Sequence, residues 1–214
     1  MPVGEKVRAS RRVRDSEAAD VRTALLDAAE AILLQDGYAA ATARRIAGEV
    51  GLKHQVVFYY FGTQEDLLLA LFQRQAEAHR ARLVEALASE QPLRALWGLV
   101  TDRSATKLTL EFLALANHSE AMRGAIAANA EAVRSLQVEA LTKHMAARGI
   151  EPNLSPELLT ILTNALARLL VQEATIGITG GHETAEALIA ALLDRFDAGR
   201  DLARLAALEV RPPA

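Results

Sequence analysis

The stretch from residue 37 to residue 68 constrains the fold of this 214-residue chain more than any other part. It reads GYAAATARRIAGEVGLKHQVVFYYFGTQEDLL. Thr42 can cap a first short helix whose apolar positions fall at helical spacing: Ile46, Ala47 and Val50. Gly51 can then adopt the left-handed conformation that ends a helix, and a second short helix is expected from Lys53 to Tyr60. Two short helices around so tight a turn predict a helix-turn-helix, whose second helix lies in the major groove of DNA.

The second helix divides into an inward and an outward side. Phe58 and Phe61 are assigned to the core. The groups expected on the outside are candidates for DNA contact: Lys53, His54, Gln55, Tyr59 and Tyr60. Gln55 is the predicted base reader because Gln can pair bidentately with adenine, whereas the Lys and His before it suit phosphates, which position rather than specify. Val56 could either meet a thymine methyl group or pack inward.

The same residues resemble the DNA-binding motif of the TetR family of one-component transcriptional regulators. GYAAATARRIAGEVGL followed by VVFYYFGTQEDLL has the family's Gly-aromatic pair, Ile-Ala, turn Gly, and aromatic pair with Phe, all at the family spacing. The resemblance covers residues 20–70 closely. Many relatives have Pro and Lys where this chain has Gly62 and Gln64, and Phe58 and Tyr60 replace a frequent Tyr and His. A neutral Gln64 is expected to weaken a phosphate contact without abolishing the fold.

The resemblance adds candidate DNA contacts on the first motif helix and at the start of the helix after the motif: Thr42, Arg44, Thr63 and Gln64. Arg44 matches a position from which family members reach a base or a phosphate. Arg45 points about 100° away and is either solvated or paired with an acid. Thr42 either caps its helix only or also donates its hydroxyl to a phosphate. Tyr59 and Tyr60 resemble the phosphate-gripping hydroxyls of the family.

The whole chain is expected to be all-α. It is 51% hydrophobic and only 4% aromatic, which suits close-packed helices better than sheets. With the resemblance, about nine helices are predicted, with a three-helix helix-turn-helix head joined by a long helix to a ligand-binding and dimerisation bundle. The expected regions are a basic flexible arm over residues 1–15, the DNA-binding domain over 16–62, and the ligand-sensing and dimerisation domain over 63–214. The arm is either a solvated tail or a segment that touches DNA.

Helix boundaries follow from capping signals. A first helix is predicted from about Ser16 to Gln35, and Thr63 with Asp66 resembles a capping box at the start of the long helix. That helix carries an apolar stripe that includes Leu67, Leu71, Leu83 and Val84. The remaining helices are predicted over Leu93–Val100, Ala105–Ala116, Glu120–Arg148, Leu158–Gly177 and Thr184–Leu208.

Relatives in this family bind a small molecule among the middle helices. Aromatic and apolar residues with a few polar groups among them make a candidate pocket there: Phe72, Trp97, Thr109, Phe112, Asn117, His118 and Met122. The same residues would equally suit an ordinary core. The expected ligand is apolar or amphipathic.

One motif of this size gives little affinity, so a homodimer that reads the two half-sites of a palindrome is expected. The last two helices carry apolar stripes that correspond to the family's dimer interface: Leu158, Leu162, Leu166, Leu169, Leu188, Leu192 and Phe196. Alternatively, these stripes pack only inside one subunit.

The sequence contains none of the common motifs of enzymes or metal sites. The five histidines are scattered, and neither His-Glu-x-x-His nor Glu-x-x-His occurs. There is no Gly-x-Ser-x-Gly, no phosphate-binding loop and no dinucleotide fingerprint. The chain is therefore expected not to be an enzyme and to need no cofactor or metal. The absence of cysteine is compatible with a reducing cytoplasm, which is the predicted location, and neither a signal peptide nor a membrane span is expected.

The formal net charge of −3 argues neither for nor against DNA binding. The favoured function is a repressor that binds a palindromic operator as a dimer and is released by the ligand, since a dimer on a promoter blocks polymerase by occupancy. Two alternatives stay open: a helical adaptor that binds protein instead of DNA, and a DNA-binding regulator with no small-molecule ligand.

Overall fold

The computed structural model describes residues 3–149 and 155–197, apart from the side chains of residues 3–16, 103–104 and 195–197. In these ranges the chain forms nine α-helices, one short 3₁₀ turn at Tyr38–Ala40 and no strand, which confirms the all-α prediction. The helices are α1 Val3–Asp36, α2 Ala43–Glu49, α3 Gln55–Phe61, α4 Gln64–Leu87, α5 Pro92–Val100, α6 Arg103–Ala116, α7 Glu120–Ala147, α8 Pro156–Thr175 and α9 His182–Asp197.

Most helix ends lie within two residues of the predicted ones, and the two ends of the chain are where they differ. Helix α1 begins at Val3, well before the predicted start at Ser16, so the region expected to be a flexible arm is helical from Val3 onward. Its basic side chains lie outside the described residues, and their contact with DNA stays a prediction. Helix α9 is described to Asp197, and the predicted continuation to Leu208 lies outside the described residues.

One compact unit comprises Met1–Gln75 with Lys107–Ile126. Its core forms because α1 places apolar residues at the three- and four-residue spacing of a helix face, and these are at most 3% exposed: Leu25, Leu26, Ala29, Ile32 and Leu33. Residues of α2, α3 and α4 pack on them: Ile46, Ala47, Val57, Leu67 and Leu71. Phe112 of α6 and Met122 of α7 complete the same core.

Polar contacts attach α6 to the end of α1. The carboxylate of Glu111 accepts a hydrogen bond from the backbone N–H of Tyr38 at 2.7 Å. Gly37, just before, has φ +79°, and a side chain there would place its Cβ 3.3 Å from the Glu111 carboxylate. The Lys107 ammonium donates to the Leu34 carbonyl. Glycine at position 37 thus provides both the left-handed turn and the room for the carboxylate.

The start of α7 is attached to the start of α4. The Ser119 hydroxyl accepts from the N–H of Met122 at 3.0 Å, which caps α7, and it donates to the Glu65 carboxylate of α4. We call Lys107–Ile126 the α6–α7 corner. Its contacts with α1 and α4 were not predicted from the sequence, which placed the whole of it in the ligand-sensing domain.

The second unit comprises the described residues of the ranges 76–106 and 127–214. Leu141 and Met145 of α7 are buried against Leu93 of α5 and Leu159 of α8. Gln137, only 2% exposed, accepts from the Asn164 side chain at 2.8 Å and links α7 to α8. Helix α8 begins as predicted, with Ser155 as the N-cap and proline at the first helical position.

No helix in the described ranges has the length and apolar character needed to cross a membrane. Within the same ranges, no three His, Cys, Asp or Glu residues are grouped in a way that could hold a metal ion.

Candidate nucleic-acid interface

The first motif helix, α2, begins with two backbone N–H groups bound by side chains. Thr42 is the N-cap, with extended backbone, and its hydroxyl accepts from the N–H of Arg45 at 3.3 Å. The N–H of Ala43 donates to the side-chain oxygen of Gln64 at 3.0 Å. The predicted cap is confirmed, while a phosphate contact by Thr42 stays a prediction. Gln64 joins the first turn of α4 to the first turn of α2, a contact that sequence reasoning missed.

The turn after α2 is a Schellman motif. Gly51 has φ +70°, as expected for a residue in the left-handed conformation. The N–H of Leu52 donates to the Ala47 carbonyl at 2.8 Å, and that of Gly51 donates to the Gly48 carbonyl at 3.1 Å. The chain then enters α3 at Gln55, two residues later than predicted, because Lys53 precedes the helix and His54 is its N-cap.

Helix α3 places one apolar residue in the core and most of its polar residues in solvent. Val57 is fully buried. Gln55 and the two residues before it are exposed, and Tyr59 is 82% exposed. Tyr60 is half-buried, and its ring meets that of Tyr59 edge to face with centroids 5.0 Å apart. Of the predicted groups at α3, Lys53, His54, Gln55 and Tyr59 are thus exposed, whereas Tyr60 also packs against the core.

The prediction that Phe58 belongs to the core is wrong. Its side chain is 46% exposed, because successive helical residues point about 100° apart and the neighbouring Val57 occupies the inward position. Phe61, also assigned to the core, is half-buried and packs against it, and the Arg22 guanidinium of α1 lies 4.9 Å above its ring. Val56 packs at the edge of the core, so of its two predicted roles the inward one is seen.

The two adjacent arginines of α2 differ in their partners. Arg45 forms an ion pair with Asp36 at the end of α1, which is one of its two predicted fates. Arg44 is exposed and has no hydrogen bond or ion pair to any described residue. Its guanidinium can therefore bind an anion or a base edge without first losing a partner. A shallow surface concavity surrounds it, lined by Thr42, Arg44, Arg45, Gly48 and Glu49.

Thr63 and Gln64 have structural roles at the start of α4. The Thr63 hydroxyl accepts from the N–H of Asp66 at 3.0 Å and donates to the Asp66 carboxylate at 2.7 Å. This confirms the predicted cap, although the carboxylate binds the hydroxyl and not the Thr63 N–H of a standard capping box. Gly62, before it, has φ +83°. DNA contacts by Thr63 and Gln64 stay predictions.

The predicted pocket residues are placed in different surroundings. The rings of Phe72 and Phe112 meet edge to face, 5.3 Å apart, and Met122 is fully buried in the same core cluster. Trp97 is half-buried and belongs to the second unit. The polar candidates are exposed: Thr109, Asn117 and His118. Phe72, Phe112 and Met122 therefore pack together in the core of the first unit. A role in ligand binding for any of the seven predicted pocket residues stays a prediction.

Part of the predicted dimer stripe is exposed within the chain. Leu162 is 50% exposed, and Leu158, Leu169 and Leu188 are also exposed. Leu166 and Leu192 are half-buried, and the side chain of Phe196 lies outside the described residues. Sequence reasoning missed Ile161 on the same face of α8, although its spacing of three residues from Leu158 could have indicated it.

Helices α2 and α3, joined by the turn at Gly51, form a helix-turn-helix, the motif that lays its second helix in the major groove of DNA. Residues 25–71 match the model of the bacterial regulatory proteins of the tetR family. Over these residues the chain therefore carries the DNA-binding motif of this family.

Solved structures share this fold. A TetR-family transcriptional regulator from Rhodococcus sp. is 20% identical, with 82% of this chain and 98% of that chain covered, and a TM-score of 0.68. A transcriptional regulator from Saccharomonospora viridis in complex with choline is 19% identical, with coverages of 76% and 88% and the same TM-score. The ketosteroid transcriptional regulator KstR2 of Mycobacterium tuberculosis is 19% identical, with coverages of 81% and 93% and a TM-score of 0.57. Among curated proteins, no sequence matches this chain at a significant level.

Proposed function

We propose that this regulator is a repressor that binds a palindromic operator as a homodimer and leaves it when a small apolar or amphipathic ligand binds. One observation carries the DNA-binding part. The side of α3 opposite the buried Val57 presents Gln55 and Tyr59 to solvent, and Arg44 of α2 is exposed with no hydrogen bond or ion pair to a described residue. Buried apolar residues fix the helix, so these groups are held in position before DNA arrives.

The exposed groups divide by chemistry into base readers and phosphate contacts. Gln55 stands at the first position of α3, and recognition helices contact base edges with their N-terminal residues. Arg44 suits guanine or a phosphate, since its planar guanidinium makes paired hydrogen bonds with either. Five other side chains can donate a hydrogen bond to the phosphate backbone: Thr42, Lys53, His54, Tyr59 and Tyr60.

The exposed leucines of α8 and α9 support a homodimer. Leu158, Ile161, Leu162 and Leu169 recur on one side of α8, and each is more than 40% exposed. Several large apolar side chains on one helix face favour burial against another surface. A second copy of this chain supplies an identical apolar face, and a two-fold axis between the copies matches the symmetry of a palindrome.

Release by a small ligand rests on the fold and on the neighbours. One structural neighbour holds choline and another is a ketosteroid transcriptional regulator. A ligand can shift this chain from the operator only by binding the released state more tightly than the bound one. Choline, a steroid and a fatty acid form a first panel, which spans cationic, apolar and amphipathic chemistry.

The test is selection of bound duplexes from a random DNA pool with the wild type, Gln55→Ala and Arg44→Ala. We expect one palindrome, and a loss of about 1–3 kcal/mol of base discrimination at particular positions in each variant. Gln73→Ala on α4 and Arg134→Ala on α7 are matched controls, because both side chains are exposed and lie outside α2, α3 and the turn between them. Neither control should alter the selected sequence.

The selected duplex then serves to test release and the competing functions. A ligand from the panel that lowers operator affinity would support release, and a duplex that no compound displaces would favour a regulator without a small-molecule ligand. Recovery of no preferred sequence by a folded dimer at moderate salt would contradict the proposal. It would favour the protein-binding adaptor.

A further inference from the structure

Phe58 is the large apolar side chain that α3 turns away from the core. Its neighbour Val57 is fully buried, whereas Phe58 is 46% exposed. Gln55, Phe58 and Tyr59 stand at positions i, i+3 and i+4 of the helix, and residues at this spacing share one face. The aromatic ring therefore lies on the side of α3 that carries the proposed base reader.

The Phe58 ring is supported from within the motif. The imidazole of His54, four residues earlier, meets it edge to face with ring centroids 6.2 Å apart and planes at 87°. Edge-to-face pairs of this kind are favourable for aromatic rings. The ring is thus held about half exposed, and a surface that covered the exposed part would remove further apolar area from water.

The chemistry of a phenyl ring limits what it can contact on DNA. Phe58 has no donor or acceptor, so it cannot hydrogen-bond a phosphate oxygen as a tyrosine hydroxyl does. The edges of base pairs in the major groove carry donors, acceptors and one apolar group, the C5-methyl of thymine. A methyl group removed from water is the feature of the groove that a phenyl ring can recognise.

We propose that Phe58 is a specificity-determining residue that contacts a thymine methyl group in each half-site. This inference rests on the proposed function, since it requires the motif to bind DNA. Phe58 lies three residues after Gln55, about 4.5 Å along the helix axis, and base pairs are about 3.4 Å apart. The recognised thymine therefore belongs to a base pair within about one or two steps of the one that Gln55 contacts.

The test replaces thymines of the selected operator, one symmetric pair at a time, with deoxyuridine, which lacks only the methyl group. Burial of one methyl group corresponds to about a fourfold change in affinity. We expect one pair of positions where deoxyuridine weakens wild-type binding by about fourfold per half-site. The same replacement should change the affinity of Phe58→Ala by less than twofold and should still weaken Phe58→Tyr, which keeps the ring.

Two controls keep the result specific to Phe58. Leu52→Ala removes another exposed apolar side chain, from the turn before α3, and should keep the full deoxyuridine effect. Phe58→Gln replaces the apolar ring with a polar side chain of good helix propensity. Phe58→Gln is used in place of Phe58→Ala if the alanine variant unfolds at a much lower temperature than the wild type. The deoxyuridine effect on the wild type can be measured without either variant.

Three results would overturn the proposal. Deoxyuridine could have no effect on the wild type at any position. It could weaken the wild type and Phe58→Ala equally, or Phe58→Ala could weaken binding to every duplex alike, as a contact with the sugar-phosphate backbone would. In these cases the operator itself still binds, so the proposed function stands. Failure of the wild type to select any duplex would overturn both.

Discussion

Gln64 has two possible functions at one position, and the structure separates them chemically. Its side-chain oxygen accepts from the Ala43 N–H at the start of α2, whereas the resemblance places a phosphate contact at the same residue. An acceptor is all that the first function needs. The second needs a group that does not repel a phosphate.

Gln64→Glu should therefore weaken operator binding but not stability, whereas Gln64→Ala should lower stability. Glutamate keeps the acceptor and adds a negative charge at a helix N-terminus, so stability is expected to hold or rise by about 0.3–1 kcal/mol. Its charge near a phosphate should weaken operator binding by about fivefold, from a repulsion of about 1 kcal/mol. Alanine loses the hydrogen bond and should lower stability by about 0.5–1.5 kcal/mol.

Urea unfolding and operator titration of both variants check this expectation. Gln73→Glu, on an exposed side of α4, is the control for added charge and should leave stability and binding near wild type. A Gln64→Glu protein that binds the operator as tightly as wild type would contradict a phosphate near position 64. One that unfolds as early as Gln64→Ala would contradict the capping role.

At the scale of elements, the break between α3 and α4 depends on one glycine. Gly62 has φ +83°, and a Cβ built there would lie 3.3 Å from the Asp66 carboxylate. Gly62→Ala is expected to lower stability by about 1–3 kcal/mol. Gly48 lies within α2, and a Cβ there meets nothing within 4 Å. Gly48→Ala should raise stability by about 0.5–1 kcal/mol, because alanine loses less backbone entropy.

The pair is measured by urea unfolding at one protein concentration, since association also contributes to stability. The opposite signs of the two changes in unfolding free energy are a stronger test than their sizes, because both substitutions add the same methyl group. A Gly62→Ala protein with wild-type stability would show that the α3–α4 break relaxes to a conformation open to alanine.

Elements were predictable from the sequence where their signals are local. Thr42, Gly51 and Ser155 mark helix ends through hydrogen bonds to residues at most a few positions away, and all three occur as expected. The predicted start of α1 and the core assignment of Phe58 were wrong. Periodicity alone does not say how far a polar helix extends, or how much of a seven-residue helix the neighbouring helices cover.

Contacts between distant parts of the chain were not predictable. Glu111 binds the N–H of Tyr38, 73 residues away, and Gln64 binds that of Ala43, 21 residues away. A single sequence gives no register between such segments, and a Glu or Gln on a helix surface is usually solvated. The motif fixes the spacing of the candidate DNA contacts, so the sequence suffices to propose them as a group, whereas the surroundings of each side chain required the fold.

At the scale of the whole molecule, the exposed apolar side of α8 is the proposed dimer interface, and a substitution there tests it. Leu162→Glu places a carboxylate in the proposed apolar interface, where burial of an unpaired charge costs several kcal/mol. We expect sedimentation to change from dimer to monomer at micromolar concentration. Operator affinity should fall as well, because the two half-sites are no longer bound by linked motifs.

Val84→Glu is the matched control for the assembly test. Val84 was expected on the apolar stripe of α4 but is 53% exposed, close to the exposure of Leu162. The same added charge there should leave the dimer intact. A Leu162→Glu protein that stays dimeric, or a wild type that sediments as a monomer, would show that α8 is not the interface.

The α6–α7 corner bears on how this regulator could be recombined with others. Because Lys107–Ile126 shares a core with the motif helices, the DNA-recognising portion is not one continuous piece of sequence. A chimera joined once, in α4, would pair these helices with a foreign partner at Phe112 and Met122 and would lose the Glu111 bond. A functional graft needs three crossover points, in α4, α6 and α7, so that the motif and the α6–α7 corner come from the same protein.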